Sequence, residues 1–283
     1  MTNSTYSHRE NFIVINQLKL HYLEWGSETD DRVLLLHGLT GCAESWAPLA
    51  NHLAEGRHVL ALDLRGHGDS QWPDLDSYTT QDFVSDMAGF VESVGIQQMT
   101  LIGHSMGARV ATAYTASHPE EVSRLVIVDM GPEVNQAGIK RILQQLLAKR
   151  EEYSSLQEVV DYLALGDPLA KPELLQLEAE CVTKRLPNNK LAWKHDGRLE
   201  KLISRRDKSE VADWWGLVAN ITCPTLVVRG SESDFLDSEI AIEMVNTMPQ
   251  ATLVEIERAG HNVPVDNPDR FEEVVSSFLE LGE

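Results

Sequence analysis

Six short apolar runs recur along the chain: RVLLLHG (Arg32–Gly38), HVLALDL (His58–Leu64), MTLIGH (Met99–His104), RLVIVDM (Arg124–Met130), TLVVRG (Thr225–Gly230) and TLVEIE (Thr252–Glu257). They are nearly continuous in Val, Leu and Ile rather than alternating with polar residues. Strands read this way when helices cover both faces of a parallel sheet. Helical patterns fill the intervals. Thr79 with Asp82 opens one helix through a Thr-x-x-Asp variant of the capping box, and Phe83, Met87, Phe90, Val91 and Val94 form its apolar stripe. Another opens with Asn267 as N-cap and Pro268 in the first turn, with Phe271, Val274, Val275, Phe278 and Leu281 as its stripe. Ahead of the parallel set, FIVI (Phe12–Ile15) and LKLHYLEW (Leu18–Trp25) around Asn16-Gln17 read as an antiparallel hairpin. The expected class is α/β.

One region breaks the rhythm. From about Pro132 to Leu217 no strand-like run occurs; the stretch is charged, helical in period, and holds Trp193, Trp214 and Trp215. A chain of 283 residues suits one large domain or a domain with an insertion. The expected organisation is a core domain from residues 1–131 and 218–283, with a helical cap inserted over 132–217. The alternative is a long run of surface helices.

Charge and cysteine usage narrow the partners. A net charge of −20 argues against a nucleic-acid or anionic-membrane surface, which needs a basic patch. No apolar run approaches the ~18 residues of a membrane span, and Met1–Glu10 has no apolar signal core. Cys42, Cys181 and Cys223 have no paired spacing and no CxxC, as expected of unlinked thiols in a reduced, cytoplasmic protein.

The chemistry concentrates at three loops. Gly103-His104-Ser105-Met106-Gly107 is G-x-S-x-G between a strand and a helix, the context that gives this pattern weight. On so tight a turn the serine backbone is strained toward positive φ, and side chains at i±2 collide, so glycine is required there. The turn lifts the Ser105 hydroxyl to the carboxyl edge of the sheet. His37-Gly38-Leu39-Thr40-Gly41 follows the first buried run, and its backbone lets the Leu39 N–H face Ser105. With the Met106 N–H it is the candidate oxyanion hole. A serine hydroxyl needs a base. Of ten histidines, His261 in RAGHNVPVDNP lies between the last strand and the last helix, at the same edge. His37, His67 and His104 read as turn or scaffold residues.

These pieces, with LDLRGHGDS (Leu62–Ser70) and HPEEVSRLVIVD (His118–Asp129), resemble the α/β-hydrolase fold family over essentially the whole chain. The resemblance implies an eight-stranded, mostly parallel sheet, a variable helical cap over the site, the chain order serine, acid, histidine, and no metal or organic cofactor. Two acids are open. Most of the family places it after the strand here read as Thr225–Gly230, in G-x-x-D-x-x-[VI]-P; laid on this chain, the pattern puts Ser233 at the aspartate position and Asp234 one residue late. A minority places it at the end of the preceding strand, 24 residues after the nucleophile, which is the offset from Ser105 to Asp129. An unpaired carboxylate ending a buried strand is costly, so Asp129 is the first candidate and Asp234 the alternative.

The expected reaction is acyl transfer from a small or medium ester to water through Ser105, His261 and an acid. Family members that act on haloalkanes or epoxides carry aspartate at the nucleophile position, and Ser105 argues against both. GHSMGAR, VIVDMGP and VVRGSESDFL resemble a carboxylesterase-like bacterial branch that includes the hydrolase of acetamidomethylene-succinate. C–C, lactone and amide hydrolysis remain alternatives, as does a receptor role without turnover. Trp193, Trp214, Trp215 and Tyr162 are candidate pocket residues, with packing of the cap onto the core as the alternative; Arg141, Arg150, Arg185 and Arg198 are cations of the cap whose default place is the solvated surface. The expected partner is a small molecule, with the protein a monomer or homodimer.

Overall fold

A computed structural model describes residues 7–29, 31–74, 77–199 and 213–280. Its main sheet has eight strands in the order β1-β2-β4-β3-β5-β6-β10-β11. β1 (Arg9–Ile15) and β2 (Leu18–Trp25) form the antiparallel hairpin, turning at Asn16 and Gln17 with φ of 50° and 67°. Two successive positive φ values match the right-handed twist of the strands they join. β2 runs antiparallel to β4 (His58–Leu62). The remaining pairings, through β3 (Arg32–Leu36), β5 (Met99–His104), β6 (Val122–Val128), β10 (Thr225–Gly230) and β11 (Ala251–Ile256), are parallel.

The continuous apolar runs have the cause the sequence suggests. Successive side chains of a strand point to opposite faces. In β3, Leu34 and Leu36 enter a core against α2 (Thr80–Ser93) and α3 (Met106–Ser117), while Val33 and Leu35 enter a second core against α1 (Ala47–Leu53). Asp82 accepts from the Thr79 N–H and hydroxyl, and Thr79 Oγ1 accepts from the Asp82 N–H, closing the capping box of α2. Phe83, Met87, Phe90 and Val91 are buried below it.

Between β6 and β10 lie α4 (Gln136–Ala148), α5 (Leu156–Gly166), α6 (Pro172–Val182) and α7 (Trp214–Ala219). This stretch also contains strands, contrary to the expectation of none: β7 (Glu152–Tyr153), β8 (Thr183–Arg185) and β9 (Leu191–Trp193) pair antiparallel in the order β7-β9-β8. Two or three residues are too few to show a period-two pattern. The segment has its own apolar cluster around Tyr153, Val159, Leu175 and Trp193.

After β10 come α8 (Ser238–Thr247), β11, the short α9 (Val263–Asp266) and α10 (Pro268–Glu280). Asn267 precedes α10 and its carbonyl takes the Phe271 N–H, but its side chain donates to the Glu257 carbonyl instead of capping. Phe271, Val274, Val275 and Phe278 face the second core, and Leu281 lies outside the described residues. Among the described residues, no helix is long and apolar enough to cross a membrane. Cys42, Cys181 and Cys223 are free thiols.

Candidate active site

Ser105 stands between the last residue of β5 and the first of α3, with φ of 52°. Its flanking glycines are required by close backbone approach. A β-carbon on Gly103 would lie 2.5 Å from the Gly107 carbonyl oxygen, and one on Gly107 would lie 2.3 Å from the Leu36 carbonyl oxygen. The helix therefore starts against the end of β3 and aims the Ser105 hydroxyl out of the sheet edge.

His261 precedes α9 and meets that hydroxyl: its Nε2 lies 2.9 Å from Ser105 Oγ. On the other side of the ring, Nδ1 lies 2.8 Å from Asp129 Oδ2. Asp129 is the residue after β6; its φ is 47°, a conformation that aspartate tolerates better than most side chains, and its exposure is 0%. The Gly230 N–H donates to its Oδ1 and the Ser233 hydroxyl to its Oδ2. His104 steadies the histidine loop by donating from Nε2 to the His261 carbonyl at 2.9 Å. Burial holds His104 down at about 3, so its ring is neutral and has a single proton to give. Phe235 packs on the His261 ring at 4.2 Å between centroids.

Asp234 takes no part in this chain of contacts. The Arg141 guanidinium grips it at both oxygens, Nε to Oδ2 at 2.7 Å and Nη2 to Oδ1 at 2.9 Å, and holds its carboxyl below the ordinary range. Of the two open acids, Asp129 is the one beside His261. The scaffold histidines are spent on backbone. His37 donates from Nδ1 to the Gly38 carbonyl and accepts the Leu64 N–H on Nε2, while His67 donates to the Arg65 carbonyl.

Met106 is the first residue of α3, so its N–H precedes the helical ladder and has no intrahelical acceptor. Leu39 sits in the tight turn closed by the Gly41 N–H on the Gly38 carbonyl. Both residues line a cavity of about 1190 Å³ that also exposes Ser105 and His261. Trp193, Trp214 and Tyr162 line it too. Trp215 does not: its indole N–H donates to Glu133 Oε1. Neighbouring residues of a helix point ~100° apart, so α7 turns one tryptophan to the cavity and the next away.

The cap cations divide in the same way. Only Arg141 of the four reaches the cavity, already engaged with Asp234. Arg150 pairs with Glu158, Arg185 with Asn189 and Arg198 with Asp196, all away from the cavity. Sequence reasoning passed over Arg109 and Lys149, which do line it. Arg109 lies over the Trp214 ring at 4.2 Å, and Lys149 Nζ lies 2.9 Å from His195 Nε2, with burial drawing the amine down to about 8. It also passed over Ser233, although the family pattern had singled out that position.

Glu178 on α6 faces the same cavity and accepts from Ser45; burial raises its carboxyl to about 7. The ordinary value is 4.5, so between there and about 7 the folded state keeps a proton the unfolded chain has lost. Stability then falls as pH rises through this window. Glu178→Gln cannot ionise and is expected to raise Tm over wild type at about pH 8 but not at about pH 4. Thermal melts at both values check this, and an equal shift at both contradicts it.

Comparison with known proteins gives the family and the fold. Residues 31–268 match the family described as the alpha/beta hydrolase fold. The 2-(acetamidomethylene)succinate hydrolase of Mesorhizobium japonicum is 25% identical over 271 residues, covering 94% of this chain and 93% of that one. An esterase of Mycobacterium tuberculosis is 27% identical over 264 residues, covering 91% and 85%. A crystal structure of E-2-(acetamidomethylene)succinate hydrolase superposes with a TM-score of 0.87 at 23% identity, covering 96% of this chain and 99% of that one.

Proposed function

Because the chain belongs to the α/β-hydrolase fold family, whose members support hydrolase activity, we propose that it is a serine hydrolase cleaving carboxylic esters of small or medium acyl groups. The observation that carries this reading is the continuous relay Ser105 Oγ–His261–Asp129, with links of 2.9 and 2.8 Å, at the wall of a large cavity.

In this mechanism His261 Nε2 takes the Ser105 proton as Oγ attacks the ester carbonyl. The Leu39 and Met106 N–H groups receive the charge that develops on the carbonyl oxygen. His261 then protonates the leaving alcohol, and the acyl group stays on Ser105. Water, deprotonated by the same nitrogen, releases the acid and restores the hydroxyl. Asp129 keeps the Nδ1–H tautomer in place and stabilises the imidazolium. No step needs a metal or organic cofactor. The segment 132–217 acts as a cap whose inner wall, with Trp193, Trp214 and Tyr162, selects the substrate.

A second reading has its own support. Arg109, Arg141 and Lys149 on the cavity wall suit a substrate bearing a carboxylate, and one relative is named for a succinate. That reading makes the scissile bond an amide, lactone or C–C bond beside the anion. For either, we infer a cytoplasmic protein, monomeric or homodimeric, in keeping with its unlinked thiols.

A p-nitrophenyl ester series from acetate to palmitate separates the readings. Ser105-dependent turnover that peaks at short or medium chains supports the esterase. No turnover on any chain, with a serine that still reacts with a fluorophosphonate, overturns it in favour of the second reading or of a receptor.

A further inference from the structure

The loop after β10 is built around one hydroxyl. Its backbone is pinned to the end of β11, with the Ser231 N–H on the Ile256 carbonyl and the Glu232 N–H on the Ala259 carbonyl. The Arg229 guanidinium fills the inside of the curve, donating to the carbonyls of Leu236 at 2.7 Å and Ser233 at 3.3 Å. Ser233 Oγ accepts the N–H groups of Phe235 at 3.1 Å and Leu236 at 3.2 Å.

A serine hydroxyl has two lone pairs and one proton. Both lone pairs of Ser233 are occupied by those backbone donors. The proton is therefore committed to the acceptor that remains, Asp129 Oδ2 at 2.6 Å. That oxygen is also the one that takes the His261 Nδ1–H. The other oxygen takes the Gly230 N–H at 3.1 Å, and a β-carbon on Gly230 would lie 2.1 Å from the Gly260 carbonyl oxygen, so this donor comes from a position that only glycine fits.

We propose that Ser233 is a positioning residue for Asp129: its hydroxyl fixes the carboxylate in the orientation that accepts from His261 and shares the charge on that oxygen. The inference rests on the Ser105–His261–Asp129 reading. It explains why a serine stands where the family pattern expects the acid. With the carboxylate supplied from the end of β6, the loop after β10 supplies a donor to it. A second carboxylate at that position would face Asp129 at hydrogen-bonding distance, and like charges so placed cannot both ionise.

Ser233→Ala has two separable consequences. The turn loses the acceptor of two N–H groups, which lowers Tm. Asp129 loses a donor, so its carboxylate turns more freely and keeps more charge toward the imidazolium. Hydrogen-bond partners that orient metal ligands are worth ~10- to 100-fold in activity; a donor that orients the triad carboxylate acts in the same indirect way, and kcat/KM is expected to fall by ~10-fold or more. The acidic limb of kcat/KM, which reports loss of the neutral base, moves to higher pH because the imidazolium is better stabilised. A purely structural role moves Tm and leaves that limb in place.

The experiment is kcat/KM against pH on the best p-nitrophenyl ester for wild type, Ser233→Ala, Ser233→Cys and Ser233→Thr, with Tm for each and Ser105→Ala alongside. The proposal expects the loss and limb shift in Ser233→Ala, a smaller shift in Ser233→Cys, whose thiol fills the space but donates weakly, and restoration in Ser233→Thr. Should Ser233→Ala not fold, the cysteine variant carries the test. An unmoved acidic limb in the folded variants overturns the role of Ser233 while Ser105 remains indispensable. Turnover that survives Ser105→Ala overturns the triad reading itself.

Discussion

Ser105→Ala is expected to lower kcat by ~10⁶, the scale seen when a serine hydrolase loses its nucleophile. The substitution removes one oxygen and little else. Alanine carries the same β-carbon through the same positive φ of 52°, so the strain of the turn is unchanged. The hydroxyl bonds to His261, a residue that keeps its partner Asp129 and its carbonyl bond from His104. Tm is therefore expected to stay at or above the wild-type value. Any activity left reflects the oxyanion donors and binding alone, ~10³–10⁴ over water. Steady-state kinetics beside a thermal melt measure both halves. A folded variant with wild-type kcat removes Ser105 from the mechanism.

The second large effect is at the acid. Asp129→Asn is expected to cost ~10⁴ in kcat, because an amide favours the wrong imidazole tautomer. The surroundings leave asparagine no good orientation. Gly230 N–H and the Ser233 hydroxyl already point donors at the two oxygens, and an amide nitrogen at either place turns a donor against a donor. Asp234→Asn loses only its grip on Arg141, a part-exposed pair between α4 and the loop after β10. Pairs of this kind contribute ~0–1 kcal/mol, and a few-fold change in rate at most is expected. Kinetics of the two variants, compared on one ester, measure the difference. The reverse order returns the acid to Asp234.

Much of this was legible because the residues concerned have local reasons to be where they are. The runs ending at Leu36, Leu62, His104 and Val128 are continuous because helices cover both their faces, and that shows in composition alone. Ser105 and His261 stand at strand-to-helix junctions flagged by glycine and by proline. The acid stayed open between Asp129 and Asp234 because Asp234 stands only one position past the place the family pattern gives the acid, and only the path of the chain decides which side chain turns inward. Arg141 decides it for Asp234 from 93 positions away, a pairing with no local signature.

What stayed open or was missed depends on facing and pairing rather than on period. Trp214 and Trp215 are equivalent in composition, yet one wall of the cavity includes the first and excludes the second. Arg150, Arg185 and Arg198 pair with Glu158, Asn189 and Asp196 away from the cavity wall, and which side of the segment forms that wall shows only in the fold. Strands as short as Glu152–Tyr153 exist through pairing with Leu191–Trp193, a contact their own residues do not announce.

The central claim is that an acyl group passes through Ser105. Mixing the wild-type protein with its best p-nitrophenyl ester, quenching in acid within the first turnovers and mapping the peptides by mass spectrometry tests it most directly. The account predicts one acyl mass on the peptide that carries Ser105, absent from Ser105→Ala and lost on a longer chase. Steady hydrolysis with no adduct on that peptide, or with an adduct on another residue, contradicts it.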